Sequence, residues 1–144
     1  MQSWDEFAAV APDLAAFGAG RFANGVAYLA TVREDGAPRV HPVTPIIGVG
    51  RLYIYMEPTS PKGYDLRRDS RYALHCGVEG SDGGKGEFAI TGRATPIEDS
   101  TLREQLDAAA TYQPKPRYIA FELSVESALA TQYNGEAIER QRWP

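Results

Sequence analysis

Residues 26–43, VAYLATVREDGAPRVHPV, form two runs of alternating apolar and polar side chains with a turn between them. Successive side chains of a strand point to opposite faces, and the dipeptide Asp35-Gly36 favours a tight hairpin turn. The stretch therefore predicts two antiparallel strands. Because Pro42 and Pro45 cannot donate a backbone hydrogen bond, the second strand must lie at a sheet edge or carry a bulge.

Four later segments repeat this period of two. They are RLYIYME, RYALHCGV, FAITGRATPI and YIAFELSVE, at residues 51–57, 71–78, 88–97 and 118–126. In the first of them, Leu52 and Ile54 share one face with Met56, and the tyrosines at 53 and 55 share the other. Six antiparallel strands joined mostly by short turns predict a closed or nearly closed barrel, so the fold class is mainly β.

Helices are predicted at the periphery of this barrel. Ser3 and Glu6 form a capping-box pattern at the start of an N-terminal helical segment, residues 1–22, which a proline divides in two. A further helix begins at Ser60, between the third and fourth strands, and another at Thr101, between the fifth and sixth. No linker or repeat interrupts the pattern, so we expect a single domain.

The expected domain covers residues 1–144, with the barrel at 26–126. The net charge of −4 argues against general nucleic-acid binding. The chain has no apolar run long enough to span a membrane, and its N-terminus lacks the features of a signal peptide, so we expect a cytoplasmic protein. Its one cysteine, Cys76, excludes an intramolecular disulfide.

The segment EPTSPKGYDLRRD, residues 57–69, contains an unusual helix start. Ser60 is a good N-cap, and Pro61 suits the first helical position. Acidic residues usually follow, because a helix N-terminus carries partial positive charge, but here Lys62 and Gly63 follow. A lysine at this position suits a helix that receives an anion, and the glycine lets the backbone approach it closely.

Other potential motifs are weak. The glycine-rich loop at 80–86 lacks the spacing of a phosphate-binding loop and lies between two strands, which is typical of a hairpin loop. The two histidines, His41 and His75, have no acidic partner at metal-ligand spacing, so we expect no metal site. His41 is either a partly exposed strand residue or part of a pocket wall beside Arg39. Cys76 has apolar neighbours and is expected to be inert.

Three segments together resemble the pyridoxamine 5′-phosphate oxidase-like family of split barrels. They are AYLATVREDGAPRVHPVTPII, LYIYMEPTSPKGYDLRRDSRYALHC and EFAITGRATPI, at residues 27–47, 52–76 and 87–97. The resemblance implies a six-stranded antiparallel split β-barrel that forms a homodimer and binds FMN in a cleft at the subunit interface. The C-terminus, GEAIERQRWP, does not match the substrate-binding ending of a true pyridoxamine phosphate oxidase.

The resemblance also implies a set of cofactor-binding residues. They are Arg39, Val40, His41, Pro42, Thr44, Tyr55, Met56, Ser60, Lys62 and Glu87. Arg39 and Thr44 would lie near the phosphate or ribityl chain, and Ser60 and Lys62 would hold the phosphate. Glu87 stands where a flavin-contacting glutamine is common in the family.

The resulting hypothesis is a flavin-dependent oxidoreductase acting on a small-molecule redox substrate. FMN would carry the hydride chemistry, so no side chain is required as a nucleophile, and no catalytic residue is assigned. One alternative is a reductase that uses the deazaflavin F-420 instead, whose longer anionic tail Lys62, Arg67 and Arg68 could accommodate. Another is a non-catalytic protein that binds flavin, or that binds haem through a histidine such as His41.

Overall fold

The computed structural model describes residues 2–23 and 25–144, which form four helices and nine strands. The helices are α1 (Trp4–Val10), α2 (Pro12–Phe22), α3 (Pro61–Arg68) and α4 (Ser100–Ala109). The strands are β1 (Ala27–Val32), β2 (Pro38–Val43), β3 (Ile46–Gly48), β4 (Arg51–Met56), β5 (Arg71–Cys76), β6 (Glu87–Pro96), β7 (Ile119–Leu123), β8 (Ser127–Asn134) and β9 (Ala137–Trp143). None of the helices in this described part has the length and apolar character needed to cross a membrane.

The strands form one curled antiparallel sheet in the order β2-β1-β5-β6-β7-β4-β3, with β8 paired to β6 and to β9. The ten-residue strand β6 joins the two halves of the fold. It pairs with β5 along one edge, while its other edge pairs with β8 through residues 87–91 and with β7 through residues 94–96. These features confirm the predicted fold class, a mainly β split barrel with peripheral helices.

The hairpin predicted from residues 26–43 is present, with Leu29 opposite His41 in the β1–β2 ladder. The predicted second strand is broken into β2 and β3 at Thr44 and Pro45. Because β2 and β3 lie at opposite ends of the strand order, both are edge strands. This confirms the position that the prolines required.

Six strands were predicted, and this number is too low. Besides the broken second strand, the prediction missed the β8–β9 hairpin, which carries the sheet beyond residue 126 to Trp143. Six of the seven β9 residues are exposed, so they show no apolar alternation that could mark a strand. The predicted glycine-rich hairpin loop does connect β5 and β6, which pair directly.

The helices cover the core on two sides. Ser3 and Glu6 form the predicted capping box, and Pro12 begins α2. The helix predicted from Thr101 instead has Asp99 as its N-cap. The main apolar cluster lies between the sheet and α1 and α2, and a second cluster lies between the sheet and α4.

Candidate functional site

The start of α3 has the predicted local structure. The Ser60 hydroxyl accepts a hydrogen bond from the Gly63 amide at 3.2 Å and donates one to the Glu57 carbonyl at 2.8 Å. The first turn contains no acidic residue. A side chain on Gly63 would begin 3.0 Å from Ser60 Oγ and 3.4 Å from Met56 Sδ, so glycine allows this turn to pack closely. These contacts hold the helix start, which carries a lysine where the helix dipole favours an anion.

Lys62 is half-buried, and it has no ion pair with any residue in the described part of the chain. Burial lowers the pKa of its ammonium group, because desolvation disfavours the charged form. The pKa of His41 is also lowered, first by burial and then by the charges of Lys62 and Arg39. The imidazole is therefore neutral at pH 7. Lys62 and Arg39 thus lie close enough to His41 to affect its titration, and these two cations concentrate positive charge beside it.

The charge of Arg39 is partly balanced by Asp65, an α3 residue that is only 3% exposed. Arg39 Nε donates to Asp65 Oδ2 at 2.7 Å, and Thr31 Oγ1 donates to the same oxygen at 2.8 Å. Burial alone would raise the pKa of Asp65, but these two hydrogen bonds and a longer one from Arg68 hold it below its ordinary value. Asp65 is thus ionised and fixes the Arg39 side chain beside α3.

A cavity of about 850 Å³ opens between the start of α3 and the turn of the β1–β2 hairpin. Its volume is within the range of small-molecule sites. We call it the α3 cleft, and its lining residues are Arg33, Glu34, Asp35, Arg39, Thr59, Pro61, Tyr64, Asp65 and Arg68.

The remaining β2 residues of the predicted set lie along the same edge strand. Val40 is 64% exposed, and Pro42 is also exposed. Val40 and Pro42 alternate along β2 with Arg39 and His41, which face α3. They therefore point to the opposite face of the sheet, which we call the outer face. Thr44 is half-buried in the break between β2 and β3.

Two adjacent β4 residues point in opposite directions. Met56 belongs to the main core cluster and lies under Gly63, next to the start of α3. Tyr55 belongs to the second cluster, and its hydroxyl donates to Asp107 Oδ1 of α4 at 2.6 Å. The side chain of Tyr55 is therefore directed away from the α3 cleft.

Glu87 lies in a different part of the sheet. Strand β6 is three strands from β2, about 14 Å at the usual strand spacing. One carboxylate oxygen of Glu87 lies 3.5 Å from His75 Nε2, and the other accepts a hydrogen bond from the Tyr133 hydroxyl. We call these three residues the Glu87 corner. Hydrogen bonding to Cys76 raises the pKa of His75 to about 9, and Glu87 also raises it.

The structure thus brings together Arg39, His41, Met56, Ser60 and Lys62 from the predicted set, and it separates Glu87 and the Tyr55 side chain from them. Sequence reasoning missed Asp65, Thr31 and Tyr133. The sequence signal for Asp65 is its position in α3: it is an acidic residue next to the apolar Leu66 in a helix whose other charged residues are basic. Nothing in the local sequence pattern connects Tyr133 to Glu87, because the two strands meet only in the folded sheet. Among residues 2–23 and 25–144, no three metal-ligating side chains converge on one point.

Residues 19–132 match the family described as pyridoxamine 5′-phosphate oxidase. The chain therefore belongs to that family. No curated protein matches it significantly.

Solved structures share the fold at low sequence identity. A heme binding protein from Mycobacterium smegmatis superposes with a TM-score of 0.63 at 17% identity, over 81% of this chain and 52% of that protein. This chain therefore spans about half of that protein's length. HutZ, the heme storage protein from Vibrio cholerae, gives a TM-score of 0.59 at 13% identity, over 80% and 89% of the two chains.

PhzG from Burkholderia lata 383, solved in complex with tetrahydrophenazine-1-carboxylic acid, gives a TM-score of 0.55 at 14% identity. The superposition covers 83% of this chain and 81% of PhzG. At these identities the comparisons establish a common fold, which is found both in haem proteins and in a protein that holds a phenazine derivative.

Proposed function

We propose that this protein binds FMN and acts as a flavin-dependent oxidoreductase. The observation that carries the proposal is the position of Lys62, a half-buried cation at the start of α3 with no carboxylate partner among the described residues. A terminal phosphate would supply the missing counter-charge and would also face the positive end of the helix dipole. Membership of the pyridoxamine 5′-phosphate oxidase family supports the same cofactor.

The residues of this chain would bind and orient the cofactor. Lys62 and Arg39 would hold the phosphate, with Arg39 kept in place by Asp65. Ser60 would act indirectly, because its hydroxyl already fixes the first turn of α3. The exposed backbone of β2 from Val40 to Pro42 would border the flavin ring. Bound flavin supplies hydride transfer, so the protein contributes orientation and electrostatics.

A homodimer would complete this site. The outer face of the sheet carries small and apolar side chains in neighbouring strands, which are Tyr28, Ala30, Val40, Pro42, Ala73, Ala89 and Leu129. Tyr28 is 48% and Val40 64% exposed, and together with their neighbours on this face they form a contiguous apolar patch of the kind that marks protein interfaces. Glu87 lies on this face as well, about 14 Å along the sheet from β2. We therefore propose that a second copy packs here and contributes its own Glu87.

A haem-binding function is the second candidate. His41 is exposed and, with its lowered pKa, neutral at pH 7, which is the form that ligates iron. Two of the structurally similar proteins are a heme binding protein and a heme storage protein. His75 is less suited to this role, because its raised pKa keeps it protonated at pH 7.

The test is titration of FMN into flavin-free protein, followed by quenching of flavin fluorescence. Lys62→Gln should weaken binding about 10- to 100-fold, the usual cost of losing a charge-assisted hydrogen bond in a half-buried site. The matched control is Lys85→Gln, which removes the same charge from an exposed loop position. Equal FMN affinity in the wild type and Lys62→Gln would contradict the proposed phosphate site.

Haem binding is measured in parallel from the Soret absorbance. The flavin proposal predicts that His41→Ala leaves FMN bound and that the flavin-loaded protein, once its flavin has been reduced with dithionite, passes the electrons to an added acceptor. A haem complex lost in His41→Ala, together with absence of FMN binding, would favour the second candidate.

A further inference from the structure

The β5–β6 loop, residues 77–86, has a fixed base. Arg21, which is 5% exposed, donates to the Gly77 carbonyl at 2.8 Å and to the Gly86 carbonyl at 3.1 Å. One buried guanidinium therefore ties the first and last residues of the loop together. A movement of the loop must take place between these two points, in the largely exposed segment 79–85.

The segment between these points is compact. The Gly86 amide donates to the Gly83 carbonyl at 2.9 Å, and the Gly84 amide donates to Asp82 Oδ1 at 3.0 Å. A side chain on Gly84 would overlap the Glu79 carbonyl, so the loop folds back closely on itself. All these contacts lie within the loop, so they set its shape but not its position against the sheet.

Tyr133 of β8 contacts the tip of the loop. A side chain on Gly83 would overlap the Tyr133 ring, so the glycine backbone lies directly against that ring. Gly83 also has a φ of 89°, which residues with a side chain rarely adopt. The hydroxyl of Tyr133 donates to one carboxylate oxygen of Glu87, and the other lies 3.5 Å from His75 Nε2. The ring under the loop is therefore held in place through Glu87.

A cavity of about 370 Å³ lies between the loop tip and the Glu87 corner. Residues 78 and 80–83 of the loop form one wall, and Glu87 and Tyr133 form the other. The volume is at the lower end of the range for small-molecule sites. Because one wall belongs to the loop, the cavity exists only while the loop rests on the Tyr133 ring.

We propose that the β5–β6 loop is a lid over this cavity and that Tyr133 is its latch. The hydrogen bond from the Tyr133 hydroxyl to Glu87 holds the ring against which Gly83 rests. When this bond breaks, the ring is free to rotate and the loop tip loses its support, while Arg21 retains the base. Opening exposes the side of the Glu87 carboxylate that the closed loop covers. The lid contains no residue of α3 or β2, so it does not depend on the proposed cofactor.

The test is the rate at which trypsin cuts the folded protein after Lys85, an exposed residue of the loop. Tyr133→Phe keeps the ring but removes the hydroxyl that reaches Glu87. Cleavage should become about 3- to 10-fold faster, because the loss of one hydrogen bond raises the population of the open loop by that factor. Glu87→Gln keeps an oxygen that can accept from Tyr133, so it should change the rate by less than about twofold.

The matched control is Tyr112→Phe. Tyr112 is 40% exposed, against 39% for Tyr133, but its ring packs against Tyr55 and not against the loop. This variant should be cut after Lys85 at the wild-type rate.

An unchanged cleavage rate in Tyr133→Phe would overturn the proposal, because the hydroxyl would then not hold the loop. Faster cleavage together with an equal loss of amide-exchange protection in β4 would also overturn it, since the whole protein would be unfolding and not the loop alone. The contact between loop and ring is checked by NMR of the wild type. The Tyr133 ring should shift the Gly83 α-proton resonances upfield, and resonances at random-coil positions would contradict the closed lid.

Discussion

The α3 cleft and the Glu87 corner differ in whether their charged groups have partners within the described part of the protein. At the Glu87 corner, His75 and Tyr133 both contact the carboxylate, and nearby Arg21 of α2 donates to the carbonyls of Gly77 and Gly86 at 2.8 Å and 3.1 Å. Beside the α3 cleft, at the start of α3, Lys62 has no such partner among the described residues. Charges of the first kind contribute to the stability of the fold, whereas we attribute the unpaired Lys62 to the proposed binding of an anionic ligand.

The pKa values of the two histidines reflect the same difference between the two regions. The pKa of His75 is raised to about 9, while that of His41 is lowered by burial and by the neighbouring cations. Four variants can test the comparison, and they are ordered by expected effect on the free energy of unfolding.

Arg21→Met should have the largest effect. Arg21 is 5% exposed, and its loss would leave the carbonyls at both ends of the β5–β6 loop without their donors. We expect a loss of about 2–4 kcal/mol in the free energy of unfolding, measured by urea denaturation. Lys85→Met, in the same loop but exposed, is the control. A loss below about 1 kcal/mol would mean that Arg21 does not hold the loop.

Asp65→Asn should cost about 2 kcal/mol, because Arg39 and Thr31 lose an ionised acceptor in a buried site. The folded-state pKa of Asp65 is depressed, so its contribution is present above the unfolded pKa of about 4 and is lost as the pH falls through the folded value. The stability difference between wild type and variant should therefore shrink on acidification. A pH-independent difference would contradict an ionised Asp65, and Glu104→Gln serves as the charge-matched control.

His75→Gln should have a smaller effect with the opposite pH dependence. The folded-state pKa of His75 is raised to about 9 from 6.5, so its contribution is fully present below pH 6.5 and is lost as the pH rises through about 9. NMR titration of the imidazole resonances should give a midpoint near 9 for His75 and one below 6.5 for His41. Equal midpoints would remove the contrast between the two regions.

Lys62→Met should change the stability of the ligand-free protein least, by no more than about 0.5 kcal/mol. The ammonium group is desolvated without an ion-pair partner among the described residues, so removing it costs the fold little. The effect should appear when FMN is added, because a ligand at 100 times its dissociation constant stabilises by about 2.7 kcal/mol. The wild type should show this shift in thermal unfolding, whereas the variant, with about 10- to 100-fold weaker binding, should gain only about 0.4–1.4 kcal/mol at the same FMN concentration. A marked loss of stability without FMN would make Lys62 structural.

The local sequence pattern predicted those parts of the fold in which the apolar or polar character of each residue reflects its burial. The alternation in residues 26–43 predicted the first hairpin, and the separation of Tyr53 and Tyr55 from Leu52 and Ile54 is observed as two core clusters. The β9 strand was missed because an exposed edge strand needs no apolar alternation.

The part of the site formed by the start of α3 was predictable, because the structure of a helix start is determined by residues that are close together in the sequence. Ser60 and Lys62 could be identified from capping and dipole rules. The pairing of Arg39 with Asp65 could not, since β2 and α3 are far apart in sequence and their contact depends on how the barrel curves. The same holds for Tyr133 and Glu87, whose strands are adjacent only in the folded sheet.

The pairing of β6 along its whole length has a consequence for how the chain folds. Its first half completes one ladder with β8 and its second half completes another with β7, while β5 pairs with residues 89–93 along the opposite edge. Neither half of the barrel can close before β6 is in place, and most of these pairings join residues distant in sequence. We therefore expect the chain to fold slowly, because contacts between distant residues must form first. We also expect one cooperative step, because a chain cut within β6 would give two fragments, neither of which contains a complete sheet.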